Sequence, residues 1–155
     1  MAFQIKFTVT KEAAVSKQAL NALVKGEWLE TGDRWHKKFR KGHFALTAYT
    51  KYSYTPRNKR YNFLKQKKLG HVIPLVLSGT SRDLSETKQI TAHREGVSVQ
   101  MPVRVFNFKT RNSKVDKRKE FTTVIPEEVT FLEKRYQVGL ERRIKSHQGR
   151  RDVKV

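Results

Sequence analysis

The chain has 155 residues, with 34 Lys and Arg against 14 Asp and Glu, for a net charge of +20. That length suits one domain with a real core, and the charge, which strains an isolated compact monomer by self-repulsion, points to a polyanion or to strongly acidic neighbouring subunits. Cysteine is absent, which excludes disulfides, thiolate catalysis and Cys-based zinc sites.

In "AFQIKFTVT" the apolar residues Phe3, Ile5, Phe7 and Val9 occupy every second position, the pattern of a half-buried strand. No basic segment followed by an apolar one opens the chain, and no stretch is long and apolar enough to span a bilayer, so a soluble protein with no export address is expected. From Glu12 to Lys41, Val15, Leu20, Leu23, Val24, Trp28, Trp35 and Phe39 recur at helical spacing. Gly26 and Gly32 weaken the middle, which predicts one bent helix or two. Phe44, Ala45, Ala48, Tyr49 and Tyr52 continue the spacing until Pro56, which biases Thr55 out of the helical region. "RYNFLKQKK" then predicts a further short helical turn before Gly70.

"VIPLVLSG" is a short apolar run, after which Ser78, Thr80 or Ser81 offers a cap for a brief helix. A β-hairpin follows: Ile90 and Ala92 precede a turn at Glu95-Gly96, and Val97, Val99, Met101, Val103 and Val105 alternate after it. "KTRNSKVDKRKE" reads as an exposed loop and "FTTVI" as a returning strand. In the last element Pro126 suits a first helical turn, Glu127 and Glu128 complement the helix dipole, and Val129, Leu132, Tyr136 and Leu140 form an apolar stripe. The expected fold is α+β: a single domain over residues 1–145, a largely antiparallel sheet packed by N- and C-terminal helices. Long basic loops include an inserted basic and aromatic arm around residues 43–71, and 146–155 is expected to be a flexible basic tail.

Catalytic signatures are missing. His36, His43, His71, His93 and His147 are scattered, without metal-ligand spacing, and no P-loop, G-x-S-x-G elbow or G-x-G-x-x-G occurs. Asp83, Glu86 and Lys88 distantly resemble the carboxylates and lysine of metal-dependent nucleases, in a triplet common by chance. The expectation is a non-enzymatic chain without cofactor or metal.

The strongest physical signal is an asymmetry. No acidic residue lies between Asp33 and Asp83, while thirteen Lys and Arg do. Of these, Arg57, Lys59, Arg60, Lys65, Lys67 and Lys68, in or beside the expected exposed loop, are the candidates for contact with a polyanion or an acidic subunit. The aromatic rings Trp35 and Phe39, and Tyr49 and Tyr52, are helical neighbours, a spacing that suits core or subunit contacts better than base stacking.

The order "PLVLSGTSRDLS", hairpin "ITAHREGVSVQMPVRVF" and closing helix "EEVTFLEKRYQVGLERRI" resembles the neck and tail-completion (head-tail joining) proteins of tailed bacteriophages, the minor-tail or virion-morphogenesis group with an HK97-gp10-like fold. Ser78-Gly79 stands where Thr-Gly is usual, Leu84 and Ser85 follow, and Pro102 closes the strand. Tyr52, Tyr54, Arg57 and Tyr61 mark an insertion met in some members, and the likeness runs from about Val15 to Ile144.

What the resemblance implies is a structural virion protein of the head-tail connector. It would form a ring of its own copies between portal or adaptor and the tail tube or tail terminator, with packaged DNA as a further contact and no membrane. The location implied is the virion, and the host cytoplasm during assembly. Tyr52, Tyr54, Tyr61, Arg111, Lys117 and Arg118 are the candidates for assembly loops. The alternative from charge alone is a basic RNA-binding protein of ribosomal type, although RRM and KH signatures are missing.

Overall fold

The computed structural model describes residues 2–4, 15–102 and 113–152, with side chains over 15–102 and 113–148. Within these residues the fold is α+β, arranged in two compact units: Met1–His36 with Gln89–Gln100 and Glu127–Val155, and Lys37–Lys88 with Met101–Pro126.

The first unit is a three-stranded antiparallel sheet with two long helices. Strands β1 (Ala2–Gln4), β2 (Gln89–Ala92) and β3 (Gly96–Gln100) pair in the order β1-β3-β2. Phe3 registers with Val97, and Ile90 with Val99. The hairpin connection is His93–Glu95, one residue earlier than the sequence suggests, because Gly96 already belongs to β3 and its carbonyl accepts from the His93 N–H at 2.8 Å. Val97 and Val99 are buried while Gln100 is exposed, the alternation of a strand with one packed face. Ile5, Phe7, Val9, Val103 and Val105 of the predicted strands lie outside the described residues.

Helix α1 (Lys17–Phe39) is continuous through both glycines. At Gly32 the reason is packing: a Cβ there would stand 2.8 Å from Val97 Cγ2 and 3.3 Å from Ile90 Cγ2, so the missing side chain lets the sheet approach the helix. Helix α6 (Pro126–Asp152) begins at Pro126 as predicted. It continues through 146–152, where a loose tail was expected; Gln148, Arg150 and Arg151 extend a helix once it is nucleated, and Gly149 alone does not stop it. Trp28 and Tyr136 stack at 3.9 Å with a 23° interplanar angle, and both are nearly inaccessible, as are Trp35, Leu132 and Val97. Trp35 Nε1 donates to Glu128 Oε2 at 2.8 Å.

The second unit is a set of short helices: a 3₁₀ turn at Arg40–Phe44, then α2 (Ala48–Lys51), α3 (Lys59–Leu69), α4 (Thr80–Leu84) and α5 (Lys117–Thr122). The helical spacing expected up to Tyr52 is interrupted at Ala45, which is extended at φ −104° and ψ 158°. The cap of α4 is Gly79 at φ 89°, where Ser78, Thr80 or Ser81 was expected; Ser78 and Thr80 instead bond each other at 2.8 Å. The predicted strand "FTTVI" is not formed: Asp116 accepts from the Lys119 N–H at 3.0 Å and starts α5 across Phe121 and Thr122, and residues 123–125 join no sheet. Its core clusters are Phe44, Val76 and Phe121, and Ala48, Tyr52 and Tyr54, with Leu75 packed against each.

Candidate functional site

The arm 43–71 is where the sequence concentrates its signal, and the fold divides its residues sharply into two sets. The rings of His43, Tyr52 and Tyr54 go inward. His43, Tyr52 and Tyr54 are 1%, 3% and 3% exposed, and His43 stacks on Tyr52 at 4.0 Å and meets Phe121 edge-on at 5.5 Å. His43 Nδ1 and the Tyr54 hydroxyl share a hydrogen bond of 2.5 Å. Ser53 between the tyrosines has φ 51°, a local reversal that sends both neighbouring rings into the core. Tyr52 and Tyr54, expected on an assembly loop, are thus core residues. Burial pushes the His43 pKa down to about 4, helped by the Lys51 charge and opposed by the Glu120 main chain.

Two of the six candidate cations also go inward. Arg57 forms a two-pronged pair with Glu120, Nη1 to Oε1 at 2.7 Å and Nη2 to Oε2 at 2.6 Å, with both side chains nearly covered. Glu120 Oε1 also accepts from the Thr55 N–H at 3.0 Å, and Arg57 Nη1 donates to Thr55 O at 2.6 Å, so the arm is buttoned to α5. Burial works to lower the Arg57 pKa, but the bonds and charge of Glu120 hold it raised. Lys65 is buried and its ammonium donates to the Ile73 carbonyl. Its pKa is lowered by burial and by the charges of Arg57 and Lys117.

Lys59, Arg60, Lys67 and Lys68 remain outside, on α3. The helix is fixed by its ends: Asn58 Oδ1 accepts from the Arg60 N–H at 2.8 Å, and Gly70 closes it in the left-handed region at φ 71°. Its amphipathicity is inverted. Lys65 is inside, while Tyr61, Phe63 and Leu64 are 46%, 68% and 53% exposed, and Leu77 nearby in sequence is 65% exposed. Sequence reading missed Phe63, Leu64 and Leu77. The signal was an apolar pair within "YNFLKQKK", but pattern rules place such residues in the core.

All four carboxylates of this unit are already engaged. Glu120 holds Arg57, Glu86 accepts from Arg40 at 3.0 Å, Asp83 pairs with Arg82 at 3.4 Å, and Asp116 caps α5. Arg40, 5% exposed, also donates to Ser85 Oγ at 2.7 Å and to Arg82 O at 3.0 Å, so the segment that faintly resembled a nuclease triplet is a structural knot around Arg40. Among the described residues no group of three or more His, Asp or Glu is disposed to hold a metal ion, and no helix is long and apolar enough to cross a membrane.

A cavity of about 110 Å³ opens beside α3, lined by Arg57, Tyr61, Lys65, Leu77, Ser81 and Lys117 among others. Lys117 and Arg118, expected on an assembly loop, are exposed in the first turn of α5, and Lys117 lines this cavity; Arg111 lies outside the described residues. Comparison with protein-family models, with curated proteins and with solved structures finds no match to the chain.

Proposed function

We propose that the chain is a structural subunit of a phage head-tail connector, a tail-completion or head-tail joining ring component between portal or adaptor and tail tube. The observation that carries the assembly part of this reading is the outward face of α3. Three large apolar side chains and four cations share one exposed helix, in a unit whose own carboxylates are all engaged. An exposed apolar set ringed by charge is the mark of a surface made to be covered. The place of that assembly, the neck of a virion, rests on the sequence resemblance. The inward turn of Tyr52 and Tyr54 supports it against base stacking, since it removes two rings from any nucleic-acid platform.

The test is density-gradient fractionation of nuclease-treated native material, with the chain quantified by mass spectrometry. Co-migration with DNA-filled particles at fixed stoichiometry to portal and tail proteins is expected. Absence from particles while the chain is abundant in free extract overturns the reading. A second reading, RNA binding, is favoured by Tyr61 and Phe63, exposed between cations. Migration with ribosomal particles, or release on RNA digestion, would establish it instead.

A further inference from the structure

The cavity beside α3 has a chemistry of its own. Arg57 is neutralised by Glu120, so its excess positive charge comes from Lys65 and Lys117. The Ser81 side chain adds a hydroxyl to the wall, and Leu75, Val76 and Leu77 make part of that wall apolar. At about 110 Å³ it has room for a carboxylate side chain. Burial lowers the Lys65 pKa first and the Lys117 charge adds to it, so an anion beside these two lysines would relieve their mutual repulsion.

The rim decides what kind of anion. Leu77 and Tyr61 border the cavity and are 65% and 46% exposed. Leu64, one helical turn from Tyr61, continues the apolar surface. Nucleic-acid backbone has no large apolar groups to place there, whereas a protein segment carrying acidic and large apolar residues has both. A second copy presenting the same face would bring like charges together, and the unit has no unengaged carboxylate to offer.

We propose that this cavity receives a carboxylate side chain from an acidic, amphipathic segment of a partner protein, whose large apolar residues cover Tyr61, Leu64 and Leu77. The proposal deepens the assembly reading and rests on it in one respect, that the partner is a protein.

The experiment uses the full chain and a fluorescein-labelled peptide of Glu and Leu at helical spacing, read by fluorescence anisotropy. Two further probes are the same peptide with every Leu replaced by Ser, and a single-stranded oligonucleotide of equal charge. Lys117→Glu is expected to weaken peptide binding tenfold or more and Leu77→Ser about threefold. Lys134→Glu, the same charge change at an exposed residue outside the cavity lining, should stay within twofold. Replacing Leu by Ser in the peptide should weaken binding tenfold. Equal losses from Lys117→Glu and Lys134→Glu would overturn the proposal, leaving only diffuse attraction. So would an oligonucleotide that binds tighter than the Glu-Leu peptide and loses tenfold on Lys117→Glu. Both lysines and Leu77 are exposed, so unchanged thermal midpoints confirm that the variants fold. Failure here leaves particle co-migration untouched, and absence from particles leaves the peptide affinities untouched, so the two readings fail separately.

Discussion

At the scale of single residues, chemical type predicts much less than environment. Arg57 and Lys59 stand two positions apart in the same basic run, yet one is locked to Glu120 and the other is exposed. Removing one member of a covered ion pair leaves the other charge without compensation, at a cost of about 3–5 kcal/mol. Arg57→Ala should therefore lower the unfolding free energy from denaturant titration by that much, while Lys59→Ala should leave it within about 0.5 kcal/mol. Matching small effects would show that the pair is not held. His43 offers a pH test. Burial puts its pKa at about 4 in the folded chain, below the 6.5 of an unperturbed imidazole, so between these pH values the unfolded chain binds more protons and the folded state loses stability as pH falls. The contribution is complete above the unfolded value and fades toward pH 4, on the order of 3 kcal/mol across the window. Imidazole NMR resonances of His43 that titrate near 4 would confirm it, and a midpoint near 6.5 would refute it.

At the scale of elements, long helices and the hairpin were legible because their periodicity repeats over many residues. The short helices α3 and α4 were also legible from their flanking Gly and cap signals, but α5 was not, because a cap such as Asp116 can start a turn over residues that otherwise suit a strand. Glycines show the same limit: helix propensity reads Gly26 and Gly32 as weak points, yet α1 runs through them. Gly139 in α6 is the sharpest case. A Cβ there would fall 1.9 Å from Glu27 Oε1, and Glu27 is 3% exposed and held by Arg143 Nε at 2.6 Å. Propensity alone would favour Gly139→Ala by about 1 kcal/mol. Overpacking costs about 1–3 kcal/mol and displaces Glu27 from Arg143, so the variant should be net destabilised. A raised melting temperature would show that Glu27 moves aside without loss.

At the scale of the whole molecule, the charge of +20 is the basis for expecting a counter-charged partner, and that expectation comes from composition alone. Its location needed the fold. The second unit satisfies its own carboxylates internally and leaves α3 with exposed cations and rings, and this arrangement motivates the assembly reading that particle fractionation tests. The same arrangement changes how the basic arm should be probed. A charge reversal at Arg57 would break a buried pair and report on folding, whereas Lys59, Lys67 and Lys68 report on contacts.

What the sequence determined by itself was what is local or additive. The α+β class follows from periods of two and 3.6, and the exclusion of thiol chemistry from the absence of cysteine. Helix starts at Pro126 and ends at Gly70 follow from backbone preferences that need no partner. Tertiary structure decided which members of a uniform basic and aromatic run turn inward. Glu120 lies 63 residues from Arg57, and Ile73 reaches Lys65 only after the chain reverses at Gly70. Pairings at such separations depend on the packing of whole elements, and no window of sequence contains the energy that fixes them.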